Sequence, residues 1–485
     1  MKATLLISLL LFVPALASAA DGKTLYEVKC GVCHGAKGDG LGDAAYLLFP
    51  KPRDFTRGVY KFRSTSSGSL PTDQDLDRTV TNGLPGSSMP AWPRLTPEEK
   101  QAIITYIKGF SPEFKNQAAP EVMNLGTAPA VTKQLISQGR AVYERMQCRV
   151  CHGADGKGLG TQSQNLKDDF GLPIRAADFT RGHLKGGQRL EDVYRTIITG
   201  INGTPMPSFT DVLKPKENWA LSAFILSLSK PVPITPIAER QVKVTRVDRV
   251  AMAYPDPIWD KAPVTRVPLK PLWASGHFAD NAAVRAIANG RGIAFLLEWA
   301  SARKDDNFMS VDAFSDGSAI QFPLEPTKGE PIYTMGERNL PVNIWHWKAA
   351  WQRELGVQRK LADVYPYMAT DMAFMGLEST TPYLTAVAAG NRFSWPTRRY
   401  PVEDLNATGF STLTTQPVEA QNIEGLGTFS DGKWHVVFRR SLASKDSADA
   451  KFDKSGELAI AVWDGQEKDR NGKKSVSEWI EYRLE

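Results

Sequence analysis

The chain has 485 residues, 42% of them hydrophobic, and a formal net charge of +6. That length exceeds one ordinary domain and suggests about three. The hydrophobic content excludes a disordered chain, and a mild charge without a long basic run excludes a nucleic-acid-binding stripe.

Residues 1–20 combine Lys2, an apolar run from Leu5 to Val13 and the small residues Ala17-Ser18-Ala19. This is the pattern of a secretory signal peptide, expected to be cleaved near Ala19 or Ala20 and to place the chain in the periplasm. The apolar run is shorter than the roughly 20 residues that span a bilayer. The later apolar stretch Trp219 to Leu228 is also too short and reads as an amphipathic helix, so no transmembrane segment is expected.

Cys30, Cys33 and His34 form a C-x-x-C-H, and Cys148, Cys151 and His152 form another. Two thiols at this spacing, at the start of a helix, each add across a vinyl group of one haem, and the adjacent imidazole meets the iron. A zinc ribbon would bring its two pairs within roughly 15–20 residues; here they lie over a hundred apart. A thioredoxin-like pair would need a βαβ setting that neither site shows. Two covalent c haems are therefore expected.

The surroundings repeat as well. G-K-T-L-Y-E-V-K-C is matched by G-R-A-V-Y-E-R-M-Q-C, D-F-T-R-G recurs at Asp54 and Asp178, and Met-Pro ends a Gly-rich loop at Met89 and at Met206. A terminal helix follows each, over Pro97 to Phe110 and Lys216 to Ser229. Polar loops flanked by Gly and Pro are poor places for a core methionine, so both residues are candidate ligands. Each copy resembles a class I cytochrome c, which implies a small all-α domain with His34 and Met89, and His152 and Met206, as axial pairs. A thioether opposite an imidazole raises the potential and favours electron transfer over ligand chemistry. His183 reads as a surface or haem-edge residue. The domains run over 21–111 and 131–229, joined by an Ala/Pro-rich linker from Ser111 to Thr132 and followed by a stiff tether from Lys230 to Gln241.

Beyond Val242 no cysteine remains and the pattern turns to period two. Strands are expected over Gly292–Trp299, Ala319–Leu324, Val342–Trp347, Trp434–Arg439, Leu458–Trp463 and Val476–Leu484, with turns at Asp316-Gly317, Asp431-Gly432 and Asp464-Gly465. Residues 242–485 thus read as an all-β sandwich, with Tyr365 to Arg392 as an insertion or lid. D-P-I-W-D-K-A-P-V at Asp256, D-G-S-A-I-Q-F-P at Asp316, the M-G-E-R-N-L-P-V segment at Met335, D-G-K-W-H-V-V-F-R-R at Asp431 and R-N-G-K-K-S-V-S-E-W resemble the haem-binding domain of the ethylbenzene dehydrogenase γ-subunit type. The resemblance implies a non-covalent haem b held by a methionine and a lysine. Met335 matches the methionine; Lys433 is the leading lysine, with Lys348 and Lys451 open and His277, His346 and His435 as substitutes. A lysine ligates only as the neutral amine, so its site must desolvate it.

No catalytic constellation accompanies these features. The first reading is an exported multihaem electron-transfer protein, a γ-like subunit serving a molybdenum oxidoreductase of the dimethyl sulfoxide reductase family or another redox protein. A dihaem cytochrome c enzyme or dehydrogenase subunit is the second reading, against which both methionines speak. The third is a dihaem cytochrome with a carbohydrate-type module, for which Trp345, Trp347 and Trp351 would offer stacking surfaces.

Overall fold

The computed structural model describes residues 21–118, 120–229, 235, 239–273, 278–307, 310–325, 331–355, 365–367 and 398–485. The expected signal segment, His277 and, apart from 365–367, the expected insertion lie outside them. The amino-terminal half is helical: α1 (Gly22–Lys29), α2 (Gly31–His34), α3 (Asp73–Asn82), α4 (Pro97–Lys108), α5 (Glu113–Asn116), α6 (Lys133–Arg145), α7 (Arg149–His152), α8 (Leu190–Thr199) and α9 (Pro215–Ser227). Among the described residues no helix is long and apolar enough to cross a membrane.

Each repeat has its own apolar core. Tyr26, Phe55, Ile103 and Ile104 belong to the first, and Tyr143, Phe179, Leu221 and Phe224 to the second. The tyrosine shared by the two copies ties its helix to the haem site in the same way, Tyr26 donating to the Gly35 carbonyl at 2.8 Å and Tyr143 to that of Gly153 at 2.6 Å. Backbones touch where the first and last helices of each copy cross. A methyl group on Gly22 would lie 2.2 Å from the Ala102 carbonyl oxygen, and one on Gly139 would lie 1.9 Å from that of Ala220. Gly139→Ala must therefore push α6 from α9, and overpacking of this kind costs about 1–3 kcal/mol. Denaturation followed at the second haem site should show a lower midpoint in this variant; an unchanged midpoint would show that the crossing relaxes freely.

The two helical units meet through a reciprocal contact. A side chain on Gly86 would touch His183 at 3.5 Å, and one on the matching Gly203 would touch Val59, the counterpart of His183, at 3.1 Å. Arg63 adds a bond to the Thr199 carbonyl at 2.7 Å, and Gly68 donates to Asn202 Oδ1 at 3.0 Å. His183 therefore sits in a seam between the copies, near Asp280 at 3.7 Å, rather than on an open surface.

The carboxy-terminal half is built of β1 (Gln241–Arg246), β2 (Thr265–Pro268), β3 (Lys270–Pro271), β4 (Asn281–Ala288), β5 (Gly292–Ala300), β6 (Gly317–Pro323), β7 (Val342–Lys348), β8 (Val402–Ala407), β9 (Thr414–Thr415), β10 (Glu424–Ser430), β11 (Lys433–Ser441), β12 (Ser455–Trp463), β13 (Ser475–Val476) and β14 (Ile480–Leu484), with α10 (Ala349–Arg353) after β7. The ladder runs β10-β11-β5-β4-β1-β14-β12-β6-β7-β8-β9. It turns a corner in β12, whose Ser455 to Leu458 pair with β14 and whose Ala459 to Trp463 pair with β6. The two halves then cover one another: Phe295 of β5 packs on Phe322 of β6 and Trp345 of β7 at 5.6 and 6.1 Å between ring centroids. Trp345, Trp347 and Ile460 point into this core, which leaves Ala319, Ile344, Ala459 and Ala461 on the opposite, outer face of β6, β7 and β12.

Two turn expectations hold and one does not. Asp431 and Gly432 both take positive φ and close the β10–β11 hairpin, and Asp464-Gly465 follows β12 directly. Asp316, by contrast, is buried at the start of β6. Its carboxylate accepts from Trp434 Nε1 at 2.8 Å, from the Asp305 N–H at 2.8 Å and from the Gly465 N–H at 2.9 Å, so it joins three segments instead of turning the chain. Burial pushes that carboxyl up to about 7.

Candidate haem sites

In the first copy Asp21 caps α1, accepting from the N–H groups of Lys23 and Thr24 at 3.1 and 3.2 Å. α1 leads straight into α2, so Cys30, Cys33 and His34 occupy a single turn, with the His34 N–H donating to the Cys30 carbonyl at 2.9 Å. His152 repeats this bond to Cys148 at 2.9 Å. No disulfide joins Cys30, Cys33, Cys148 or Cys151. Burial pushes Cys30 and Cys33 up to about 12 and Cys148 up to about 11.

The repeated D-F-T-R-G, whose role sequence reasoning missed, is what orients the histidines. His34 Nδ1 lies 3.0 Å from the Arg53 carbonyl, and His152 Nδ1 lies 3.1 Å from the Ala177 carbonyl, the residue before the motif in each case. A carbonyl only accepts, so Nδ1 carries the proton and Nε2 is left with its lone pair, the arrangement a ligating imidazole needs. The motif's phenylalanine then stacks on the ring, Phe55 on His34 at 4.5 Å and Phe179 on His152 at 4.4 Å. Its aspartate shapes the turn by accepting from the Thr56 or Thr180 N–H at 3.0 or 2.9 Å. Desolvation disfavours the imidazolium at both sites, lowering His34 to about 4 and His152 in the same direction.

The methionine loops share a frame too. Leu84 N–H donates to the Met89 carbonyl and Ile201 N–H to the Met206 carbonyl, both at 3.1 Å. Ser87 and Thr204 each return a hydroxyl to the first residue of that pair at 2.7 Å. Both methionines are half-buried. A donor set of two thiols, an oriented neutral imidazole and a thioether in a held loop fits covalent haem in each copy.

In the β half, Met335 takes φ +100° and packs on the outer face of β6, β7 and β12 beside Tyr333, Ala461 and Trp463. His346 lies on that face, stacked on Trp463 at 4.7 Å. Lys474, which sequence reasoning missed, is there as well, its Nζ 4.9 Å from the Trp463 ring. Burial lowers the Lys474 ammonium to about 8, and burial together with Lys348 and Lys474 holds His346 well below its ordinary value.

Lys433 is a correction. It is exposed beside the β10–β11 turn, and its neighbour Trp434 points into the core, so Lys433 projects from the outer face of β11, outside the cluster that holds Met335. Lys451 is exposed, and Lys348 is paired with the buried Glu403 and lies over the Trp351 ring. His435 is on the β11 side, stacked on Tyr254 and 3.0 Å from Glu298 Oε1. Trp345, Trp347 and Trp351 are all within 1% of complete burial, which removes the surface that sugar stacking requires.

The duplicated helical site is that of a c-type cytochrome. Comparison with known families agrees and adds the second half: residues 17–107 and 134–225 match the model of cytochrome c oxidase, cbb3-type, subunit III, and residues 256–475 match that of ethylbenzene dehydrogenase. It is 25% identical over 231 residues to a protein of Haloferax mediterranei named for a respiratory nitrate reductase haem subunit, covering 46% of this chain and 65% of that one. It is 26% identical over 260 residues to the chlorate reductase subunit gamma of Ideonella dechloratans, covering 51% and 87% respectively. A chain in the solved reducing HAO-like protein complex of Kuenenia stuttgartiensis is 42% identical, with a TM-score of 0.43 over 43% of this chain and 96% of that one.

Proposed function

We propose that this chain is an exported electron-transfer subunit in which two all-α cytochrome c domains, ligated by His34/Met89 and His152/Met206, serve a β-sandwich that holds a third, non-covalent haem b. The observation that carries the reading is the duplicated frame of carbonyl, imidazole and phenylalanine, which prepares the same nitrogen for iron twice. In the sandwich the residues that would hold the group are Met335 and, in place of Lys433, Lys474, which shares the Trp463 surface with it. Bound haem supplies one-electron chemistry at each site; the chain itself orients ligands and excludes water. The relatives named for nitrate and chlorate reductase subunits support a molybdenum oxidoreductase of the dimethyl sulfoxide reductase family as partner, with the chain carrying electrons and doing no substrate chemistry. The test is to pre-reduce the chain and follow its haem bands with and without such a reductase and its oxyanion. Reoxidation that requires the reductase is expected; turnover of the oxyanion by the chain alone would make it an enzyme.

Met89→His should lower one potential, because imidazole favours ferric iron more than a thioether does. Redox titration is expected to show one haem moved and the others unmoved, and an unmoved titration would return Met89 to a packing role.

A further inference from the structure

The Met89 loop is gripped by the β half from two sides. On one, Tyr333, two residues before Met335, donates its O–H to the Ser88 carbonyl at 2.8 Å. On the other, Ser88 Oγ donates to the Leu272 carbonyl at 3.2 Å, while the Leu272 N–H donates to the Lys474 carbonyl at 3.0 Å. Lys270 donates to the Met89 carbonyl at 3.3 Å and is ion-paired with Glu478, which also accepts from the Ala91 N–H at 2.6 Å. Tyr333 and Cys33 pack on the same apolar cluster, formed by Ala44, Leu48, Leu272 and Val476.

We propose that this seam is a built-in electron-transfer junction, with Tyr333 as the positioning residue that couples the iron site of His34 and Met89 to the iron site of Met335. The proposal rests on the haem reading of the β half given above. Among the described residues one route from Met89 to Met335 is covalent except at a single point, the hydrogen bond between Tyr333 and Ser88. Electronic coupling falls faster across a gap than along bonds, so that contact governs the route. With haem held by His34 and Met89 on one side and by Met335 on the other, the route would carry a single electron from one bound group to the other. No bond forms or breaks, and the phenol keeps its proton. The grip on the loop adds constancy, since the Lys270–Glu478 pair and the apolar cluster hold the first helical unit against the β half.

The haem-loaded full chain is compared with Tyr333→Phe and Ser88→Ala. Neither change replaces a ligand, so haem content, optical spectra and midpoint potentials are expected to match the wild type. After flash photoreduction by a ruthenium dye, passage of the electron between the two haems should slow several-fold in Tyr333→Phe. Ser88→Ala keeps the carbonyl that Tyr333 uses and should transfer at the wild-type rate. Equal rates in the wild type and Tyr333→Phe overturn the junction. So does equal slowing in both variants, and so do potentials or haem content altered by Tyr333→Phe, which would make Tyr333 merely structural. A wild type without extractable haem overturns the β-half reading and the junction with it, and haem content alone tells that outcome from the others.

Discussion

Replacing both Cys148 and Cys151 with Ala is expected to leave one covalently attached haem where the wild type carries two, as read by mass and by the haem that survives acid–acetone extraction. The thiols flank a single turn of helix whose only other chemical group toward iron is the His152 imidazole, and a lone imidazole does not hold haem through denaturation. The Phe179 stack and the Ala177 carbonyl remain in the variant, so the ring stays oriented and loss of attachment reports on the thiols alone. Cys30→Ala with Cys33→Ala should remove the other haem and leave the second intact, because the two copies have separate apolar cores. Two haems still attached in either double variant would mean that the site in question had been misassigned.

A second large effect separates two lysines. Lys474→Ala should abolish the extractable haem, as should Met335→Ala, whereas Lys433→Ala should leave it in place. The argument is one of protonation: an ammonium has no lone pair for iron, and desolvation makes the neutral amine accessible. Burial brings Lys474 down to about 8, while Lys433 is exposed at the start of β11. Haem lost with Lys433→Ala and kept with Lys474→Ala would reverse the assignment; haem lost with neither would pass the role to His346, which shares the Trp463 surface.

What the sequence disclosed follows from how local each signal is. The strands of alternating pattern are short-range features and stand close to where they were expected, except that Val476–Leu484 is two strands, β13 and β14. β4 escaped because it is covered on both faces, Val284 and Ala286 toward one cluster and Ile287 toward another, so its pattern does not alternate. β8 escaped because V-E-D-L-N-A is polar. Its Glu403 and Asp404 are buried yet partnered, by Lys348 and by Asn343, and such pairing is tertiary. Lys474 was hidden for the same reason: R-N-G-K-K resembles a solvated turn, and only the fold sets its Nζ over the Trp463 ring and its carbonyl against the Leu272 N–H. The task of D-F-T-R-G was within reach, since a motif kept in two copies beside the haem sites points to a shared duty.

The reciprocal contact between the helical units also bears on how the chain assembles. Because Gly86 meets His183 as Gly203 meets Val59, each unit presents one patch that accepts its own likeness, as in a two-fold dimer. The joint is therefore indifferent to whether its halves belong to one chain. A connector from Ser111 to Thr132 too short to fold back would send the second unit to a neighbouring molecule, where the same patch waits. Deleting residues from this stretch should double the number of chains per particle by domain swapping, with unchanged haem spectra, a shift that size-exclusion chromatography with light scattering would register, and a deletant of unchanged particle mass would show that the joint is too weak to choose a partner.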